Sequence, residues 1–258
     1  MTATLAELAE DATVFLEAQR GIDRVDRGDL HLYVTGNRCA VHRVRLGDVE
    51  AAVAWARAEA ARRRSRRLEW WIGWSATPAD VEARLVAAGL VPDDEERVLT
   101  GMTCDAPPPA APHVEVRRIE KIEEQLEALT VDWDVWGHDA EDRQARARTE
   151  RARFAADGPV QHFAAYVDER PVGFGRAIDM RGGVALMGGA VLPEHRGRGV
   201  YRALVRARWD YAATRGTPLL VVQAGRMSAP VLDGLGFRRH GELHLYLDPG
   251  VASGHGDN

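Results

Sequence analysis

The 258-residue chain predicts an α/β (α+β) protein, a mixed and mostly antiparallel sheet flanked by helices, organised as two tandem units. Three observations carry this expectation. Strand-like and helix-like periodicities alternate along the chain with several hairpins among them, which implies a sheet covered by helices. Four prolines in the nine residues from Asp105 to His113 (DAPPPAAPH) stop helix continuation and favour an extended connector. The length exceeds that of one average domain, roughly 100 to 200 residues, and 45% hydrophobic with 28% charged residues is ordinary globular composition with a core to bury.

The elements follow in order. In the first unit, 1–104, the pattern predicts a helix over 3–19, strands over 30–35 and 39–45, and an Ala/Arg-rich helix over 48–65. A strand from Leu68 to Trp74 comes next, then a helix over 78–88 opened by Thr77 as N-cap and Pro78 at the first helical position, then a strand pair around 90–104. Beyond the linker, 105–113, the second unit spans 114–248. It reads as a strand over 114–119, two helices over 121–156 separated near Gly137, and strands over 161–167, 171–179 and 184–191. A helix over 199–214, a strand over 219–223, a short helix over 229–235 and strands around 237–247 complete it, and the small polar residues of 249–258 predict a fraying tail. Both units contain a long helix, an apolar strand, a short helix ending in Gly and a closing strand pair, in that order, and both long helices follow an HRxR string, His42 to Arg45 and His195 to Arg198. This order reads as a duplication.

A net charge of −5 removes the global attraction that a general nucleic-acid or membrane-surface binder uses, so an anionic ligand needs a local cluster. Lys121 is the sole lysine among 34 basic residues, a coding bias before it is chemistry. Cys39 and Cys104 lie in no zinc-like spacing, and a reduced, cytoplasmic protein is the simpler reading. The acidic N-terminal stretch lacks the positive charge of a signal peptide, and no apolar run approaches a membrane span of about 20 residues. His240 and His244 fall in a strand pair, where the helical i, i+4 metal geometry does not apply, so no metal is expected. The basic run Arg62 to Arg67 ends a helix, where cations complement the dipole. Trp70, Trp71 and Trp74 could line a ligand pocket, but strand alternation would put Trp70 and Trp74 on one face, where core or interdomain packing suits them better.

The chemistry concentrates in residues 182–212, GGVALMGGAVLPEHRGRGVYRALVRARWDYA. An apolar strand ends at Val191 and Leu192, the loop PEHRGRG turns, and a helix begins near Gly199. Gly197 and Gly199 let the backbone curl so that successive N–H groups converge, and the positive end of the helix adds to them. Arg198, Arg202 and Arg206, four apart on one helical face, supply the local positive charge that the acidic whole lacks.

This segment resembles the acyl-CoA-binding motif R/Q-x-x-G-x-G/A of the GCN5-related N-acetyltransferase (GNAT) superfamily. Arg196 and Gly199 match its first two defined positions, and Tyr201 stands where a small residue is usual. SAPVLDGLGF, Ser228 to Phe237, is similar to the family's short helix and L-G-F ending. The resemblance implies acetyl-CoA as co-substrate, bound by Val191, Leu192, Arg196, Gly197, Arg198, Gly199, Val200, Tyr201 and Ser228, and transfer of an acetyl group to a small-molecule amine. It implies that the Leu192 amide meets the developing oxyanion. Leu232 stands where relatives carry a tyrosine acid, so the departing thiolate is protonated by Tyr201, by water or not at all. Candidate bases for deprotonating the amine are Glu194, His195, Asp134, His138 and Asp139. Trp133, Asp134, Trp136 and His138 are candidates to receive a cationic amine, with a core and solvent-facing helix as the bland alternative. In the first unit Val44 replaces the nest glycine and Asp48 would repel phosphate, which reads as a degenerate GNAT-like domain without a cofactor site. The competing functions are a non-catalytic acyl-CoA sensor or interaction module and, against the charge balance, an arginine-rich RNA binder. The protein is expected as a monomer or homodimer with no nucleic-acid or membrane partner.

Overall fold

The computed structural model describes residues 3–93, 98–111 and 113–251. Of the expectations above, Met1 and Thr2, part of the strand pair (94–97), Pro112 of the linker and most of the tail (252–258) lie outside these residues.

Two short helices, α1 (Leu5–Glu10) and α2 (Ala12–Phe15), replace the single helix expected over 3–19. A reciprocal capping box between Thr4 and Glu7 fixes the start of α1. The hairpin strands β1 (Ile22–Asp26), β2 (His31–Thr35) and β3 (Arg38–His42) follow, then α3 (Val49–Arg62), β4 (Arg67–Ile72), α4 (Val81–Ala87), β5 (Val91–Pro92) and β6 (Val98–Cys104). The helix α4 starts at Val81 and not at Pro78, so Thr77 is not its N-cap. Beyond the linker come β7 (Glu115–Ile119), α5 (Ile122–Val135), α6 (Ala140–Arg153), β8 (Val160–Val167), β9 (Arg170–Met180), β10 (Gly183–Val191), α7 (Val200–Thr214), β11 (Leu220–Ala224), α8 (Ala229–Asp233) and β12 (Arg238–Leu247).

Among the described residues all twelve strands form one sheet, in the order β1-β2-β3-β4-β12-β6-β11-β10-β9-β8-β7, with β5 on β12. The order reads nearly alike from both ends. Strand β3 runs parallel to β4, as β10 does to β11, and every other pairing is antiparallel. The closing strands are exchanged. The last strand of the chain, β12, pairs with β4 of the first half, while β6 of the first half pairs with β11 of the second, and β6 and β12 pair with each other at the centre.

Alternation along the strands separates two faces. Leu220, Val222 and Ala224 of β11 join Met102 and Cys104 of β6 in a core under α7 and α8, whereas Leu219 and Val221 face Leu8, Ala12 and Leu16 on the other side. A matching core under α3 contains Leu68, Trp70 and Ile72 with Tyr246 of β12. On the opposite face α5 packs Ala128, Leu129 and Trp133 against Phe174 and Ala190, and α1 lies across the middle of the sheet, where the Gln223 amide donates to the carbonyls of Ala9 and Glu10. Cys39 and Cys104 are buried free thiols, one in each helix-covered core. Trp70 and Trp74 do not share a face: β4 ends at Ile72, Trp70 fills the core under α3, and Trp74 is 36% exposed and packs close against Gly101 and Gly241. None of the described helices is long and apolar enough to cross a membrane.

Candidate active site

The parallel strands β10 and β11 pair at Val184 with Leu220 and Ala185 with Val221, then diverge. Past that point β10 continues to Val191 against β9, and β11 to Ala224 against β6, which leaves a gap in the sheet. A register shift between Met187 and Gly189 kinks β10 beside the gap, with Gly188 at φ +60°.

At the end of β10 the loop rises through a short 3-10 turn, Pro193–His195, to the start of α7. Gly197 (φ +73°) and Gly199 (φ +83°) both adopt the left-handed conformation that a side chain resists, and Gly199 is the N-cap with no side-chain cap. Among the described residues no backbone or side-chain acceptor takes the N–H groups of residues 197 to 202. Free donors at the positive end of a 15-residue helix are what an anion such as a pyrophosphate requires. Arg198 and Arg202 stand exposed around it. Arg206 does not: its guanidinium donates to the Pro108 carbonyl at 3.0 Å and pairs with Asp210 at 2.9 Å, so it ties the linker to α7. The Arg196 side chain folds back onto the Val191 carbonyl at 3.2 Å.

The corresponding start of α3 is closed. Its N-cap, Asp48, accepts a hydrogen bond from the Ala51 N–H, so a carboxylate already occupies the end that α7 leaves open. Val44 is buried in the first core.

The Leu192 amide is not available to an oxyanion. It donates to the Val172 carbonyl at 3.0 Å, extending the β9–β10 ladder. Pairs in an antiparallel ladder alternate between bonded and outward-turned, so Gly189 and Val191, opposite Gly175 and Gly173, turn their N–H groups away from β9 toward the gap. Gly189 is thus the amide nearest the kink. A Cβ built on Gly189 would lie 3.0 Å from the Tyr201 ring, so the absence of a side chain lets that ring pack close against β10. Burial pushes the Tyr201 phenol above its ordinary pKa, partly opposed by Arg208. Arg208 is 1% exposed; it donates to the carbonyls of Leu204 and Arg176, and its Nη2 has no partner. Leu232 is fully buried in the core under α7 and cannot face a thioester.

A cavity of about 1310 Å³ runs from this gap across the face carrying α1 and α2. Its wall includes Tyr201, Ser228, Gly189 and Trp136 from the second half and Tyr33, His42 and Trp71 from the first. Of the four candidates for the amine pocket only Trp136, 59% exposed, lines it. Trp133 is buried in the core between α5 and the sheet, Asp134 pairs with Arg143 at 2.8 Å, and His138 lies 3.4 Å from Asp142. Asp139 caps α6. Glu194 and His195 sit in the turn after β10 and do not line the cavity, so none of the candidate bases does. The carboxylate that does is Glu242 of β12. His240 and His244 bond separately, to Thr103 and Glu82.

Sequence reasoning missed Gly189, Arg208 and Glu242. The double glycine Gly188-Gly189 inside a strand pattern is a bulge signal, and Arg208 stands four residues after Leu204 on an otherwise apolar helical stripe. Glu242 reaches the site through the strand exchange, which leaves no local trace.

The geometry agrees with what the chain resembles. The sequence profile of the Acetyltransferase (GNAT) family matches residues 122–237, and this region is a GNAT acetyltransferase domain. Among solved structures the fold is similar to that of a GCN5-related N-acetyltransferase from Kribbella flavida, with 17% identity and a TM-score of 0.66 over 99% of this chain and 98% of that one. It is similar also to a tandem GNAT protein from the clavulanic acid biosynthesis pathway, with 16% identity and a TM-score of 0.63 over 96% and 88% of the two chains. A GCN5-related N-acetyltransferase from Sphaerobacter thermophilus matches at 18% identity and a TM-score of 0.56 over 87% and 82%. Among curated proteins nothing matches.

Proposed function

We propose that this protein is an acyl-CoA-dependent N-acyltransferase that moves an acetyl group from acetyl-CoA to an amine of a small molecule by direct attack. The observation that carries the proposal is the open glycine nest at the start of α7, set beside the gap between β10 and β11. The residues present fit the co-substrate: free N–H groups for the pyrophosphate at 197–202, exposed Arg198 and Arg202 around them, and outward-turned amides of Val191 and Gly189 along the gap. With α3 capped by Asp48, one such site per chain follows, and the first half serves to enclose the acceptor.

Acetyl-CoA supplies an activated thioester, whose C–S bond breaks as the amine nitrogen bonds to the carbonyl carbon. This chain performs three tasks around that exchange. The Gly189 N–H takes the place first assigned to Leu192 and donates to the oxygen that gains charge. Glu242, the carboxylate on the cavity wall, accepts the proton that an alkylammonium of pKa near 10 must lose, directly or through water. Tyr201, whose ring packs close against Gly189, returns a proton to the thiolate.

The test is thiol release from acetyl-CoA across an amine panel, with Tyr201→Phe and Glu242→Gln alongside. Each variant is expected to lower kcat by about a hundredfold or more, the usual range for general acid–base groups, while acetyl-CoA still binds. Burial of Leu232, which removes the short-helix acid, favours the second reading of an acyl-CoA sensor. A sensor would bind acetyl-CoA and release no thiol with any amine.

A further inference from the structure

The cavity wall carries six arginines, Arg38, Arg153, Arg176, Arg208, Arg226 and Arg239, and among the described residues one carboxylate, Glu242. Three of the six are compensated, Arg38 by Glu69, Arg176 by Glu150 and Arg239 by Asp233. The others have no carboxylate partner among the described residues. Arg153 donates to the Gly21 carbonyl and, at 3.2 Å, to Thr35 Oγ1. Arg226 is exposed at the end of β11. Arg208 is buried with Nη2 unpartnered, and three further buried polar atoms on the same wall, Thr13 Oγ1, Gln19 Nε2 and His42 Nδ1, also lack partners.

A buried guanidinium without a counter-charge is strongly unfavourable unless something supplies the missing acceptor. Here the unfilled hydrogen-bonding capacity and the excess positive charge fall on one cavity. The wall is wrong for a polyamine, whose charges it would repel, and it offers one carboxylate for one ammonium. We infer that the acceptor is an amine that also carries a carboxylate, an amino-acid-like substrate, with its acid group held by the uncompensated arginines and its nitrogen facing Glu242. The inference rests on the acyltransferase reading and names its acceptor class. It also gives the first half a task, because Thr13, Arg38 and His42 belong to it.

The experiment follows thiol release from acetyl-CoA with the proteinogenic amino acids and β-alanine, each matched to its own carboxamide, and with spermidine and an aminoglycoside. The best carboxylate substrate is expected to exceed its carboxamide in kcat/KM by at least about tenfold, the scale of a lost charge-assisted hydrogen bond, and the polycations to fall below both. Arg153→Gln should narrow that ratio by roughly threefold or more, with the acetyl-CoA dissociation constant unchanged. Equal rates for acid and amide, a preference for polycations, or silence of every carboxylate amine while acetyl-CoA is bound overturns the inference. Failure to bind acetyl-CoA at all is a separate outcome, and it removes the acyltransferase reading instead.

Discussion

Gly199 concentrates the argument at the scale of single residues. A Cβ there would meet Ala111 at 3.7 Å, an ordinary contact, so the cost of Gly199→Ala is conformational: a side chain forced to φ +83°. The variant is expected to lose about tenfold in acetyl-CoA affinity and roughly 1–2 kcal/mol in stability, read by calorimetry and by thermal melting. Arg208 gives the opposite sign. Replacing its buried, unpaired guanidinium by a side chain of similar length, Arg208→Met, should leave the free protein as stable or more stable by about 1–3 kcal/mol, with discrimination for carboxylate amines reduced. A lower melting temperature would show that the two backbone carbonyls it caps outweigh its buried charge. The loop glycines were readable in the sequence because φ > 0 admits few other residues. The role of Leu192 was not, since whether an amide faces a neighbour strand or a gap depends on the register of β9 against β10.

At the scale of elements the exchange of β6 and β12 governs how the halves depend on each other. Each half completes its core with a strand from the other: Met102 and Cys104 lie under α7, and Tyr246 lies under α3. Cutting the chain inside the proline-rich linker should therefore give two fragments that are insoluble when expressed apart and co-purify when expressed together. Two fragments that each melt cooperatively alone would contradict the exchange. The order of helices and strands was legible from periodicity, and the paired halves from their repeated order. The partner of each closing strand was not, because a strand pattern specifies which face is apolar and not which neighbour it joins. Strand β1, Ile-Asp-Arg-Val-Asp, escaped notice because three of its five residues are charged and it edges the sheet. Trp133, Asp134 and Asp139 misled for a related reason: helix α5 turns Trp133 into the core, Asp134 pairs with Arg143 and Asp139 caps α6.

For the whole molecule, buried titratable groups set the response to acid. Burial holds His42 and His162 down to about 3, and both are 6% exposed. The unfolded chain takes up these protons near pH 6.5 and the folded one does not, so stability falls as pH drops from 6.5 toward 3, by about 2 kcal/mol per histidine at pH 5. Asp11 acts the other way. Burial raises its carboxyl to about 6 against the pull of Arg45, so its contribution is present below pH 4 and is lost as pH rises through 6. Asp11→Asn should accordingly raise the melting temperature at pH 8 more than at pH 4.5, and wild type should melt lower at pH 5 than at pH 7.

The proposed single cofactor site also belongs to this scale: one half leaves its helix start open and the other fills it with Asp48. Isothermal calorimetry of the intact chain with acetyl-CoA tests this directly. The account predicts saturable binding at one acetyl-CoA per chain, weakened about tenfold by Gly199→Ala and unaffected by Asp48→Asn. Absence of binding at millimolar acetyl-CoA, or binding of two per chain, would contradict it.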